Sequence, residues 1–168
     1  MPDHIEYQAF SISYSKPVNK LVAPVSILPI LAIDRETFHD TPVKIEALWD
    51  TGATVTCIKP ALFDRLKLRF LNINNHTTLA GVGGEAAAKI TYAHLFITPA
   101  LELEFCPMYV VDFPSKADIL IGMDIIGKGD FVVCNADNKT SFSFAIPSFP
   151  DRINLADKAE AANKHGSI

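Results

Sequence analysis

Cysteine is scarce in this chain, and what there is does not cluster: Cys57, Cys106 and Cys134 lie far apart, with no C-x-x-C spacing. An odd, scattered set makes neither a disulfide framework nor a zinc knuckle, and it fits a reducing compartment. The histidines at 4, 39, 76, 94 and 165 are equally dispersed and give no H-x-x-x-H helix face. Solvated or packed imidazoles are therefore expected, and no metal. Charge of one sign is lacking too. With 15 Lys and Arg against 19 Asp and Glu the formal net charge is -4. Those charges are scattered, so there is no basic face for nucleic acid and no polybasic run for a membrane surface. The longest apolar stretch, residues 21–33, is too short to span a bilayer and is broken by Pro24 and Pro29. The opening Met-Pro-Asp-His-Ile-Glu has none of the basic-then-apolar order of a signal peptide. A soluble, cytoplasmic protein is the expectation, with neither nucleic acid nor membrane among its partners.

What is present is apolar and strand-forming. Hydrophobic residues make up 49% of 168 residues, enough for the core of one domain. Residues 1–20 are polar and mixed and read as an N-terminal arm, residues 21–149 as the domain, and residues 150–168 as a polar tail with a weak helix around 156–162. Within the domain, residues 21–33 suggest edge strand segments, because proline cannot donate to a central ladder. Residues 34–42 read as a turn. Val43-Lys44-Ile45-Glu46-Ala47-Leu48-Trp49 alternates and then becomes wholly apolar, a strand entering the core. Residues 54–58 resume strand character, and Pro60 opens a short helix with Leu62, Phe63 and Leu66 on one face. Residues 77–97 form a long hairpin bent at Gly81-Val82-Gly83-Gly84. Further strands are expected over 101–105, 108–111, 119–121, 131–134 and 140–146, with one or two helical turns over 123–128. Many short strands and only one or two short helices indicate an all-β closed barrel or sandwich, without internal repeats.

The informative constellation is Leu48-Trp49-Asp50-Thr51-Gly52-Ala53-Thr54. An acid between two apolar strand segments is a poor choice for stability alone, since desolvation opposes its charge unless a partner compensates. Gly52 permits a tight turn that presents the carboxyl group, and Thr51 offers a hydroxyl to tie the turn down. The tripeptide alone is weak evidence, as an ordinary hairpin turn uses the same residues. Two further features stand at suitable distances: the glycine-tipped hairpin at residues 79–84, and Leu120-Ile121-Gly122 followed by Met123-Asp124-Ile125-Ile126.

These three marks, in this order, resemble the retropepsin-like (retroviral-type) aspartic peptidases, and the resemblance covers residues 43–146. Gly122-Met123-Asp124 is closer to cellular and bacterial single-lobe members than to viral ones, where Arg-Asn is common after that glycine. The resemblance implies a single-lobe acid-protease barrel with a flap hairpin. Asp50, Thr51 and Gly52 would be catalytic, with Thr51 bracing the opposing loop. Ala53, Gly81, Val82, Gly83 and Gly84 would bind substrate. Trp49, bulkier than the usual aliphatic residue, is expected to fill core. The implied enzyme needs no cofactor and no metal.

Peptide hydrolysis by carboxylates requires a base to activate water and an acid to protonate the departing amide, which two adjacent carboxyl groups sharing a proton supply. Only one Asp-(Thr/Ser)-Gly occurs in the chain. The expected enzyme is therefore a homodimer that pairs two Asp50 carboxylates on a two-fold axis and hydrolyses a peptide or protein substrate. Residues 140–146, or the apolar stretch from Leu21, are expected to supply interface strands. The alternative is a dimeric binding or assembly module of the same fold with little or no protease activity. A nucleotide site at Gly81-Val82-Gly83-Gly84-Glu85 is disfavoured, because the Gly-Lys-Ser/Thr ending is missing. Asp118 and Asp124 read as structural acids, the latter at a helix start.

Overall fold

The alternation over residues 43–49 is realised as strand β3 (Val43–Trp49), with Ile45, Ala47 and Trp49 buried and Lys44 and Glu46 exposed. The computed structural model describes residues 6–30, 41–70, 76–81, 84–151 and 153–165. The turn expected at 34–42 lies mostly outside them. In chain order the other elements are β1 (Gln8–Ser13), β2 (Leu21–Pro29), β4 (Cys57–Ile58), α1 (Pro60–Arg65), β5 (His76–Gly81), β6 (Gly84–Phe96), β7 (Glu102–Val110), β8 (Ile119–Ile121), α2 (Met123–Ile126), β9 (Asp130–Ala136), β10 (Lys139–Ile146) and α3 (Leu155–His165).

Six strands close a mixed barrel in the order β2-β3-β8-β4-β7-β6, with β6 returning to β2 and β5 hanging from β6 as the outer arm of a hairpin. The β3–β8 and β4–β7 pairs are parallel and the rest antiparallel. Closure removes the barrel's edges. Its interior holds Ile27, Ile58, Leu95, Met108, Ile119 and Ile121, all fully buried, each contributing roughly 1.5–3 kcal/mol of transfer free energy. The first helix buries Leu62 and Leu66 against this core and half-buries Phe63, the face its spacing predicts.

A second, three-stranded antiparallel sheet, β1-β10-β9, packs at one end. Trp49 is the hinge between the two sheets. Its indole stacks on Phe131 at 5.7 Å and 7°, and its ring centre lies 5.4 Å from Phe10 and 5.2 Å from Phe144. Trp49 is 3% exposed and fills core as expected. Tyr14 ties the end of β1 to the barrel by donating its hydroxyl to the Val22 carbonyl at 2.8 Å.

Several expectations need correction. The edge reading of β2 holds only in part: residues 21–25 pair with β3 alone and residues 28–29 with β6 alone, but Ser26 and Ile27 pair on both sides and close the barrel. Its prolines are tolerated because Pro24 and Pro29 each fall where only one neighbour is paired. Of the two segments expected to supply interface strands, β10 is occupied within the chain, lying between β1 and β9, whereas residues 21–25 of β2 are paired on one side only. The expected strand over residues 54–58 shrinks to Cys57–Ile58, because the carbonyls of Ala53 and Thr54 accept from the amides of α2 instead of from a strand. Finally, the runs at 101–105 and 108–111 are one strand, β7, continuous through Pro107 and through Phe105, whose φ is 49°. Residues 8–13, inside the stretch read as an arm, form β1, and the tail carries α3, an exposed helix.

Candidate active site

The parallel register between β3 and β8 sets Trp49 beside Ile121. One residue further on, Asp50 and Gly122 leave their strands side by side, and the Asp50 amide donates to the Ile121 carbonyl at 3.0 Å. The second arm of the Asp50 loop returns as β4, which pairs with β8 from the other side. The loop therefore straddles β8 and closes around the start of α2. Asp50 is half-buried, while Thr51 and Gly52 are exposed and Ala53 is half-buried.

Within the loop the Gly52 amide donates to Asp50 Oδ1 at 2.9 Å and the Ala53 amide to the Asp50 carbonyl at 3.2 Å. A β-carbon on Gly52 would lie 3.1 Å from the same Oδ1, so glycine lets the amide approach the carboxylate. Among the described residues no Lys, Arg or His forms an ion pair with Asp50. The carboxyl group is thus oriented by a backbone N–H and turned toward the surface.

The loop is fastened to α2 by bonds that sequence reasoning did not foresee. The amides of Met123 and Asp124 donate to the carbonyls of Ala53 and Thr54 at 2.8 and 3.2 Å. Thr56, fully buried, donates its amide to Asp124 Oδ2 at 2.9 Å and its hydroxyl to Asp124 Oδ1 at 2.8 Å, while that hydroxyl accepts from the Gly122 amide at 3.2 Å. Asp124 Oδ1 also accepts from the Ile125 amide at 3.0 Å. It is structural, as its place at a helix start implied, but its main bonds reach back to Thr56. The signal was a buried-phase threonine after Asp-Thr-Gly and an acid after Ile-Gly, which become partners only once β8 lies between them.

Burial, reinforced by the Asp124 carboxylate, pushes the nearby Cys57 thiol up to about 11. Burial also pushes Cys106 up to about 12, with Asp124 adding to the effect and Lys128 opposing it. Both are protonated, unreactive packing groups at neutral pH. Gly81 and Gly84 face each other at the end of the β5–β6 hairpin; Val82 and Gly83 lie outside the described residues. No cluster of three or more His, Cys, Asp or Glu suited to a metal ion occurs among the described residues, and no helix there is long and apolar enough to cross a membrane.

A closed mixed barrel with a projecting hairpin, and a single Asp-Thr-Gly loop locked against an Ile-Gly-helix segment, define the single-lobe acid-protease class. Residues 37–128 match the family described as "gag-polyprotein putative aspartyl protease", and the chain belongs to this family of retropepsin-like aspartyl proteases. No curated protein matches. Among solved structures the chain is similar to a retropepsin-like aspartic protease from Rickettsia conorii, at 14% identity and a TM-score of 0.56 over 84% of this chain and 96% of that one. It is also similar to EIAV protease complexed with the inhibitor HBY-793 (25% identity, TM-score 0.45, 65% and 86% covered). A third similar structure is the retroviral protease-like domain of Ddi1 from Leishmania major (16%, 0.43, 75% and 95%). The Rickettsia likeness shows the fold.

Proposed function

We propose that the chain is an aspartic endopeptidase acting as a homodimer, in which water is activated between two Asp50 carboxylates and attacks a peptide bond. The observation that carries this reading is the Asp50 carboxyl group itself, half-exposed, held by the Gly52 amide and without an ion-pair partner among the described residues. A structural acid at this position would be expected to bond into the core, as Asp124 does. One carboxyl group cannot act as base toward water and as acid toward the leaving amine in the same step; two sharing a proton can. The second must come from another copy, since the chain has one such loop.

In this mechanism one Asp50 takes a proton from water as it adds to the scissile carbonyl. Its mate, protonated, hydrogen-bonds the developing oxyanion, and the proton passes to the amide nitrogen as the C–N bond breaks. Thr51 and Gly52 hold the loop, and Ala53 borders the bound peptide. The β5–β6 hairpin covers an extended substrate that adds to it as a strand, with Gly81, Val82, Gly83 and Gly84 as the proposed binding residues. Three unpaired thiols, Cys57, Cys106 and Cys134, support a reducing, cytoplasmic location, which cell fractionation would check.

The test compares wild type with Asp50→Asn, which keeps the side-chain shape and removes the shared proton. Turnover of a peptide library should fall by at least about 10²-fold, to background, and a statine-type transition-state mimic should bind the wild type far more tightly. Equal turnover by both proteins would end the mechanism. Dimeric wild type with no turnover and no mimic binding would instead favour the assembly-module alternative.

A further inference from the structure

Two strand edges border a groove between the small sheet and the barrel, and only one of them can bond. The β1 strand pairs with β10 alone. Just beyond it Tyr14 and Thr140 continue the same register, and the Tyr14 amide donates to the Thr140 carbonyl at 2.8 Å. Bonded pairs alternate with unbonded ones in an antiparallel ladder, so the even residues of β1 bond toward β10. The N–H and C=O groups of Ala9, Ser11 and Ser13 point the other way, and among the described residues no backbone bond uses them.

The free side of β2 also borders the groove, and it is blunted. Tyr14 donates its hydroxyl to the Val22 carbonyl, and Ser26 lies beside Phe96 of β6. The even residues of β2 therefore direct their backbone away from β3. Between Val22 and Ser26 the outward position is held by Pro24, which has no N–H to offer. Strand addition at this groove is thus confined to β1. The groove has a volume of about 630 Å³, and its walls include Phe10 and Ile12 of β1, Pro24 of β2 and Phe96 of β6. Ligand sites typically fall in the range of roughly 300–1,000 Å³. Among the described residues Lys44 is the only ionisable side chain in the walls; it is exposed and forms no ion pair there.

We infer that this groove docks an extended peptide segment of another protein, which adds to β1 as a fourth strand of the small sheet. Its alternate side chains, on the face shared with Phe10 and Ile12, are apolar and fill the groove. Those between them share the exposed face of Ser11 and are polar. An Asp or Glu of the segment meets Lys44. Each requirement has its own cause: the open amides and carbonyls of β1 take an extended backbone, the apolar walls take apolar side chains, and the unpaired ammonium takes a carboxylate. A single strand fits where a sheet does not, because β2 and residues 96–99 wall the far side. That wall also disfavours a second copy of this chain, whose β1 would arrive with its own barrel behind it. The lining includes none of residues 50–53, so the site is distinct from the Asp50 loop and does not depend on the proposed peptidase activity.

The probe is a fluorescein-labelled peptide, Val-Ser-Ile-Thr-Val-Asp, titrated with the full chain and read by fluorescence anisotropy. Wild type should bind it saturably. N-methylation of one alternate set of its amides should weaken binding at least about 10-fold, because those N–H groups bond β1, and methylation of the other set should leave it nearly unchanged. Lys44→Glu should weaken binding at least about 3-fold, and a probe with Lys in place of Asp should recover it on that variant. Ser11→Pro removes an outward N–H and should cost at least about 10-fold, with circular dichroism confirming the fold. Absence of saturable binding to folded wild type, or equal loss from both methylated sets, overturns strand addition. Binding indifferent to Lys44→Glu overturns the acidic partner. Displacement of the probe by a statine-type mimic would place it in the Asp50 cleft and overturn the groove. Self-association that the probe suppresses and Ser11→Pro abolishes would give the groove to a second copy and overturn the peptide assignment.

Discussion

Gly122 lies flat against the backbone of Val55: a β-carbon on Gly122 would sit 2.6 Å from the Val55 carbonyl carbon and oxygen. This contact is how the Ile121-Gly122 segment holds the Asp50 loop, and backbone atoms cannot yield as a flexible side-chain tip can. Gly122→Ala should cost about 1–3 kcal/mol by overpacking. Because the displaced residue is in the Asp50 loop, the proposed peptidase activity should lose kcat/KM as well. An unchanged urea midpoint together with unchanged activity would show that the loop relaxes freely.

Thr56 tests the polar half of the same lock. Thr56→Val removes the hydroxyl that donates to Asp124 and accepts from the Gly122 amide, leaving a buried N–H and a carboxylate oxygen short of partners. The expected loss is about 1–3 kcal/mol. Thr56→Ser keeps the hydroxyl and should be distinctly the milder change, although it also leaves a small methyl-sized gap. If serine proves as damaging as valine in denaturant titrations, packing rather than hydrogen bonding holds the loop.

Thiol chemistry should separate the cysteines. In native protein at neutral pH a chromogenic disulfide reagent should titrate Cys134 quickly, and Cys57 and Cys106 only after denaturation. Both buried thiols have folded pKa values raised above the ordinary 9.0, to about 11 and about 12, so the folded state holds these protons more tightly than the unfolded chain does. The stability this confers is whole below about pH 9 and declines as pH rises, until it is lost near 11 for Cys57 and near 12 for Cys106. Each thiol should contribute on the order of 2–4 kcal/mol to that decline. Cys57→Ala with Cys106→Ala should flatten the alkaline limb measured by chemical denaturation; an unaltered limb would refute the assignment.

The aromatic cluster predicts both an energy and a signal. Phe144 is 1% exposed and its ring lies 5.2 Å from Trp49, so Phe144→Ala should cost about 3–5 kcal/mol. Trp49 is the sole tryptophan, and its emission should move to longer wavelength as water reaches the cavity. A small loss of stability with no spectral change would mean the cluster collapses around the vacancy.

The sequence by itself determined most of the local structure and singled out the candidate reacting group, Asp50. Period-two alternation in residues 43–49, the apolar triplet at 119–121 and the glycines at 81 and 84 specify strands and a hairpin through side-chain direction and backbone freedom alone. An acid set between two buried strands marks Asp50 before any fold is known. Pairing partners were not legible, because a strand's composition does not say which other strands lie beside it. Pro24 and Pro29 argued for an edge, yet β2 closes the barrel, since each proline needs only one unpaired side and tertiary placement supplies it. Residues 54–56 have strand composition but lie outside β4, because α2 amides take the carbonyls of Ala53 and Thr54 and the ladder to β7 begins only at the Thr56 carbonyl. Thr56 and Asp124 are 68 residues apart and become partners only when β8 passes between β3 and β4. The edges of the small sheet, too, belong to β1 and β9 and not to β10, for a reason no pattern contains: β1 returns from the far end of the chain to take the other side of β10.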